Sequence, residues 1–279
     1  MPASGDEVDV VLLFGGDGTI HRHLGQLVKL GLPVLVVPAG SGNDFARALE
    51  LRRVRDSLAA WQKFCSGAAT VRAIDLGVIS AVENAGEATP LGRSELHEAA
   101  HPVAPGGSRY FCCVAGVGLD GEVSRRANRL PRWLRGHGGY ALAMAPTIFS
   151  FSPLPMKIFT AADSDGDWVV RSDQPTTLAV FANTPVYGGG MKVAPQAKMD
   201  DGLLDVCTVR AVSAAKLFFM FPSVYSGRHL QIREVEYFQS GRVRVETERP
   251  LDVYADGEYV CRTPIEVRVQ GAALKVVTL

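Results

Sequence analysis

The stretch VDVVLLFGGDGTIHRHLGQLVKLGLPVLVVPAGSGNDFARALE, residues 8–50, decides the fold. Val8–Phe14 is a short apolar run, the pattern of a strand buried on both faces in a parallel sheet. The loop GGDGT, Gly15–Thr19, follows it directly. Ile20, Leu24, Leu27 and Leu30 then recur at helical spacing until Gly31, a residue suited to the left-handed cap that ends a helix. Pro33–Val37 predicts a second buried strand. PAGSGND is a second loop, with Asn43 or Asp44 as N-cap of the helix begun by FARALEL. The result is a βαβα unit with a glycine-rich loop at the carboxyl end of each strand, the edge along which open α/β sheets bind ligands.

Beyond residue 70 the pattern changes. TVRAIDLGVIS, RYFCCVAGV, PMKIFTA, TTLAVFAN, LLDVCTV, RVRVETE, LDVYADG and PIEVRVQ read as strands, rich in Val, Ile and aromatics and bounded by turn residues. Helical stretches are expected at about 122–149, broken at Pro131 and Gly138–Gly139, and at about 214–227. The polar segment 81–108 reads as a surface insertion. The fold class expected is therefore an α/β nucleotide-binding domain over 1–70, followed by a β-sandwich-like domain over 71–279.

Composition narrows the partners. The 279 residues carry 29 Lys+Arg and 29 Asp+Glu, a net charge of zero, which argues against a protein that coats nucleic acid. Five cysteines at Cys65, Cys112, Cys113, Cys207 and Cys261 show no zinc-binding spacing and read as reduced, buried thiols in a cytoplasmic setting. No secretory signal and no run of about 18 apolar residues is present, so contact with a membrane is expected to be peripheral.

The two loops carry the chemistry. Glycines permit positive φ and close backbone approach, so backbone N–H groups can converge on an anion, and a following helix adds its positive end. Asp17 offers a carboxylate to a metal or a ribose, and Thr19 and Ser41 offer hydroxyls. A plain turn accounts for either loop alone; two on adjacent strands argue for a nucleoside triphosphate. Late in the chain, Asp256 and Glu258 of ADGE sit on what reads as a hairpin tip, a carboxylate pair able to serve phosphoryl transfer to an alcohol. Asp200–Gly202 reads either as a turn or as part of a cation site. His21 and His23 read as exposed or capping.

FGGDGTIHR followed by PAGSGNDFAR resembles the diacylglycerol kinase catalytic-domain family, which includes bacterial lipid kinases and sphingosine kinases. IDLG at Ile74, VAGVGLDGEV at Val114, MDDGLLDV at Met199 and YADGE at Tyr254 extend the resemblance over nearly the whole chain, in order. It implies an ATP- and Mg2+-dependent lipid kinase with its active site in a cleft between two domains. Gly15, Gly16, Asp17, Gly18, Thr19, Ser41 and Asn43 would then bind ATP. Asp256 would be the catalytic base and Glu258 its assistant. Asp201, with backbone carbonyls near Lys198 and Leu203, would hold a structural magnesium. Ser41 stands where many relatives have Thr. Relatives also carry an earlier strand and an NPxSG-like loop, whereas the given sequence starts a few residues before the GGDGT strand, which implies a shortened nucleotide domain.

The lipid is expected near two segments. Arg125, Arg126, Arg129, Arg132 and Arg135, mixed with Leu130, Trp133 and Leu134, suit anionic head groups. Lys216–Phe221 suits either a core or an acyl-chain groove. A homodimer through sheet edges is an open possibility. An NAD kinase-like small-molecule kinase, or a protein that binds nucleotide or lipid without turnover, are the alternative readings.

Overall fold

The apolar runs of residues 8–38 do become parallel strands, and the reason is visible in what covers them. In the computed structural model, which describes residues 8–82, 103, 106–130, 140–161 and 166–279, β1 (Val11–Gly15) and β2 (Val34–Pro38) pair in parallel. Helix α1 (Asp17–Leu30) lays Ile20, Leu24 and Leu27 on them and stops at Gly31, whose φ of 64° is the left-handed cap expected. FARALEL does not run on as one helix. The short α2 (Asp44–Ala48) ends, and a separate α3 (Val54–Cys65) packs through its small residues, Ser57 donating a hydrogen bond to the Val36 carbonyl at 2.8 Å.

The remainder supplies β3 (Thr70–Ala81), β4 (Ser108–Phe111), β5 (Val114–Gly118), β6 (Leu154–Ala161), β7 (Val169–Ala182), β8 (Leu204–Arg210), β9 (Val235–Ser240), β10 (Arg242–Thr247), β11 (Asp252–Ala255), β12 (Glu258–Arg262) and β13 (Ile265–Thr278). Helices α4 (Leu119–Asn128), α5 (Tyr140–Ser150) and α6 (Ala214–Met220) interrupt them, close to the helical stretches expected. RYFCCVAGV, expected as one strand, is two. The chain bends at Cys112–Cys113, where the backbone amides turn away from the ladder toward a side chain described below.

Among the described residues the strands join in one hydrogen-bonded network. Its main path runs β1-β2-β13-β10-β6-β7-β5-β11-β12. The last strand is the hinge of this arrangement. Its first part, Ile265–Arg268, pairs with β10, while Val276 near its end pairs in parallel with Val34 of β2. β3, which begins at the junction of the two sequence halves, lies antiparallel along nearly all of β13. Two cores result. One gathers Leu24, Phe45, Ile74, Leu274 and Val276; the other gathers Phe111, Phe181, Val206, Val243 and Ile265. A third, smaller cluster joins α4, α5 and α6 through Leu119, Val123, Met144, Ile148 and Leu217.

Most of the insertion at 81–108, and Arg132–Arg135 of the basic segment, lie outside the described residues. Cys112, Cys113, Cys207 and Cys261 are buried free thiols, as expected, but Cys65 is exposed at the end of α3.

Candidate active site

The two glycine loops touch each other. A Cβ on Gly40 would lie 2.4 Å from the Cα of Gly16, so backbone packs directly on backbone. None of Gly15, Gly16, Gly18, Gly40 or Gly42 has a positive φ; of the two uses the sequence suggests, these glycines serve close approach and not the left-handed conformation. The α1 helix that leaves the first loop starts at Gly16 with no side-chain cap, so its first amides are open to an anion.

Asp17 faces the second loop. Its carboxylate accepts from the amides of Asp44 and Phe45, each at 3.0 Å, and so caps α2 from another element. The capping role expected of Asn43 or Asp44 therefore falls to Asp17. Asn43 has φ 57°, which turns its side chain back to accept from Gly40 N and donate to Gly40 O. Burial and the neighbouring Asp44 charge push the Asp17 carboxyl up to about 6. Asp44, itself raised by burial, binds Arg47 and accepts from Gly189 N at 3.2 Å. Glu258 closes on the same place: its Oε1 lies 2.7 Å from where a Cβ on Gly18 would stand. Ser41 is exposed at the rim of the second loop.

Asp256 and Gly257 both have positive φ, 51° and 83°, and form a two-residue hairpin between β11 and β12, as the sequence suggested. The Asp256 side chain is fully buried. Oδ1 accepts from Cys113 N at 2.8 Å and Val114 N at 3.2 Å; Oδ2 accepts from Cys112 N at 2.9 Å and lies 3.1 Å from His21 Nδ1. Three successive amides thus form a concave anion cradle, which is why the chain bends at the two cysteines. Asn183 braces that bend, donating to the carbonyls of Asp75 and Cys112. Buried beside carboxylates, the Cys113 thiol is pushed up to about 12. His21 is a correction to the sequence reading: it is buried, and its partner lies 235 residues along the chain, where no local pattern reaches it. His23 is exposed and pairs with Gln26.

The magnesium residues form a separate loop. Asp201 is exposed, accepts from Leu203 N at 3.1 Å, and adds to the raising of the Asp205 carboxyl, which burial chiefly causes. Asp75, buried below, accepts from Gly202 N and Ala272 N and fixes the loop. The Asp201 carboxylate and the carbonyls of Lys198 and Leu203 would offer hard oxygen donors of the kind Mg2+ takes. This loop does not join the Asp17, Asp44 and Asp256 group.

An almost wholly apolar cavity opens between α4, α5, α6 and the β7–β8 sheet, with Met144, Ile148, Leu217, Met220 and Phe221 in its wall. Its polar wall residues are Asp120, which accepts from the Tyr187 hydroxyl, and His229, which bonds Val193 O and is held toward its neutral form by burial. Asp120 is buried over Gly116, where any Cβ would collide with its carboxylate.

Comparison with known proteins agrees with this geometry. Residues 2–79 match the family model described as diacylglycerol kinase catalytic domain, and residues 113–278 match the YegS C-terminal NAD kinase beta sandwich-like domain. The chain is 34% identical over 268 residues to a diacylglycerol kinase of Mycobacterium tuberculosis (strain ATCC 25618 / H37Rv), covering 96% of this chain and 76% of that protein. It is 26% identical over 255 residues to a diacylglycerol kinase of Bacillus subtilis (strain 168), covering 91% and 72%. A solved diacylglycerol kinase structure from Bacillus anthracis str. Sterne superposes with a TM-score of 0.62 at 18% identity, covering 99% of this chain and 78% of that one, a likeness of fold. On its motifs, its fold and these relatives, the chain belongs to the diacylglycerol kinase family and is a lipid kinase.

Proposed function

We propose that the chain transfers the γ-phosphate of ATP to the hydroxyl of a lipid of diacylglycerol or sphingoid type, in the cleft where the glycine loops meet the Asp256 hairpin. The observation that carries this is the segment Tyr187–Gly190. Its Tyr187 end forms part of the apolar cavity wall, and its Gly189 amide bonds Asp44 beside the glycine loops. A lipid chain in the cavity would therefore bring its head group toward the acidic cluster. The names of the curated relatives support diacylglycerol as the first substrate to try.

Each group has a job in that reading. The bare start of α1 and the tight glycine loops suit phosphate oxygens. Asp17, Asp44 and Glu258 bring negative charge to the same place, so the nucleotide would enter with Mg2+ between its phosphates and these carboxylates. The bound ion would neutralise the charge that develops on the phosphates. Asp201, with Lys198 and Leu203, would hold a second, structural Mg2+. Asp256, on the ADGE hairpin, would take the acceptor hydroxyl's proton.

Peripheral membrane contact belongs to the same proposal. Phe149 of α5 and Phe218 and Phe219 of α6 form a chain of ring contacts with centroids 5.7 and 5.8 Å apart, and Phe219 is 80% exposed. The inner faces of these helices line the cavity, so the exposed aromatics surround the side from which a lipid would arrive. The arginines are less available than their sequence suggested: Arg125 and Arg126 both pair with Glu122. Among the described residues no helix is long and apolar enough to cross a membrane.

Incubation with labelled ATP and either NAD or a panel of diacylglycerol, sphingoid base, ceramide and phosphatidylglycerol tests the reading. Label in a lipid that disappears in Asp256→Asn is the expected result. Label in NAD alone would overturn it.

A further inference from the structure

We infer that His21 is a positioning residue for Asp256, holding the carboxylate in place relative to the phosphate loop. The inference rests on the lipid-kinase reading above. Four nitrogen donors lie on the Asp256 carboxylate, two on each oxygen, and the Cys112 thiol adds a longer contact to Oδ2 at 3.5 Å. Three are backbone amides of one strand segment in the β-rich half. The fourth, His21 Nδ1, comes from α1, on the other side of the cleft. Because a carboxylate accepts, Nδ1 must carry the proton and donate. His21 Nε2 is buried and has no partner, so the ring's polar contact with the protein is made through Nδ1.

The placement on α1 is what gives this bond its consequence. Asp17 and His21 are four residues apart and so share one face of the helix. Asp17 reaches to the start of α2, while His21 reaches to Asp256. One rigid turn of helix, leaving the GGDGT loop, thus spaces the second glycine loop and the acceptor carboxylate from the phosphate loop. His21 is also the one nitrogen donor of the four that is a side chain and can rotate. In the transfer, the hydroxyl proton passes to the Asp256 carboxylate, the hydroxyl oxygen bonds to the γ-phosphorus, and the bond from that phosphorus to the β-bridging oxygen breaks to release ADP. The proton leaves to solvent with product.

Asparagine separates this role from others, because its amide can donate where Nδ1 does but has no counterpart of Nε2. His21→Asn is expected to keep kcat within about threefold of wild type, whereas His21→Leu, which fills the space without a donor, is expected to lose at least about 100-fold in kcat with the KM for ATP changed by less than about threefold. Thermal unfolding of both variants, followed by circular dichroism, reports whether they fold. A folded His21→Leu with near wild-type kcat overturns the inference. So does a folded His21→Asn as inactive as His21→Leu, since that makes the imidazole itself the reacting group. If His21→Leu does not fold, the folded His21→Asn alone decides: a loss of at least about 100-fold in its kcat overturns the inference. Should wild type label no lipid in the panel, the lipid-kinase reading falls first and this inference with it. Labelling by wild type with no loss in His21→Leu removes the inference alone.

Discussion

Asp17 shows how much one residue of a loop is asked to do. It caps α2, faces Asp44, and begins the helix that carries His21. Burial and the Asp44 charge raise its carboxyl from 3.8 to about 6, so the folded chain binds its proton more tightly than the unfolded chain. The sign for stability follows: this group's contribution is fully present below about pH 4 and is lost as pH rises through about 6. Carbon-13 titration of the Asp17 carboxyl is expected to show a midpoint near 6, and Asp44→Asn is expected to move it down by removing the like charge. A midpoint unmoved in Asp44→Asn would mean that burial acts alone. Gly40 makes the matching steric point. Ala there would put a methyl 2.4 Å from the Gly16 Cα, backbone that cannot rotate aside. Gly40→Ala is expected to cost about 1–3 kcal/mol in denaturant unfolding, the range for overpacking, and to weaken nucleotide binding. The sequence marks these glycines for positive φ and for close backbone approach; that Gly16 and Gly40 approach each other is a property of the folded pair.

At the scale of elements, periodicity was readable wherever an element buries one face and was misleading where a long-range partner bends the chain. The helices α1 and α6 follow their apolar spacing: within Lys216–Phe221, Leu217, Met220 and Phe221 turn to the cavity while Phe218 and Phe219 turn out. The segment is therefore not simply core: one face lines the cavity and the other is exposed. RYFCCVAGV reads as one strand because each residue favours it, yet Asp256 draws three amides out of the ladder and divides it. The exposed faces of α5 and α6 carry a prediction of their own. Phe149→Ser with Phe219→Ser removes two rings that are 63% and 80% exposed, so unfolding should shift by no more than about 0.5 kcal/mol, as for surface substitutions generally. Sedimentation with anionic vesicles should nevertheless fall several-fold, with little dependence on salt because the lost contact is apolar. Undiminished sedimentation would leave the remaining arginines as the docking feature.

For the whole molecule, the site exists because the chain's two ends of sequence are sewn into one sheet. The first 70 residues read correctly as an α/β unit, and the later strands as a β-rich one, but their union was not legible. It depends on the last strand: β13 pairs with β10 at its start and with β2 near its end, and runs along β3 between. ALKVVT alternates no differently from any edge strand, so nothing local announces that Leu274 and Val276 enter the first core. The consequence is cooperative. If β13 is shared, the glycine loops and the Asp256 hairpin cannot lose their mutual placement without disturbing a common strand. Val276 is fully buried and sits opposite Val34, so Val276→Asp puts an unpaired carboxylate into that core. The expected outcome in the full chain is a loss of more than about 3 kcal/mol, within the upper range for burying an uncompensated charge, and one unfolding transition in which both halves melt together. Tryptophan reporters divide the two halves conveniently, with Trp61 on α3 and Trp168 just before β7. Single-tryptophan versions of Val276→Asp should give coincident curves. Curves that separate, with Trp61 released first and Trp168 retained, would show that the halves are only docked and that β13 belongs energetically to the β-rich half.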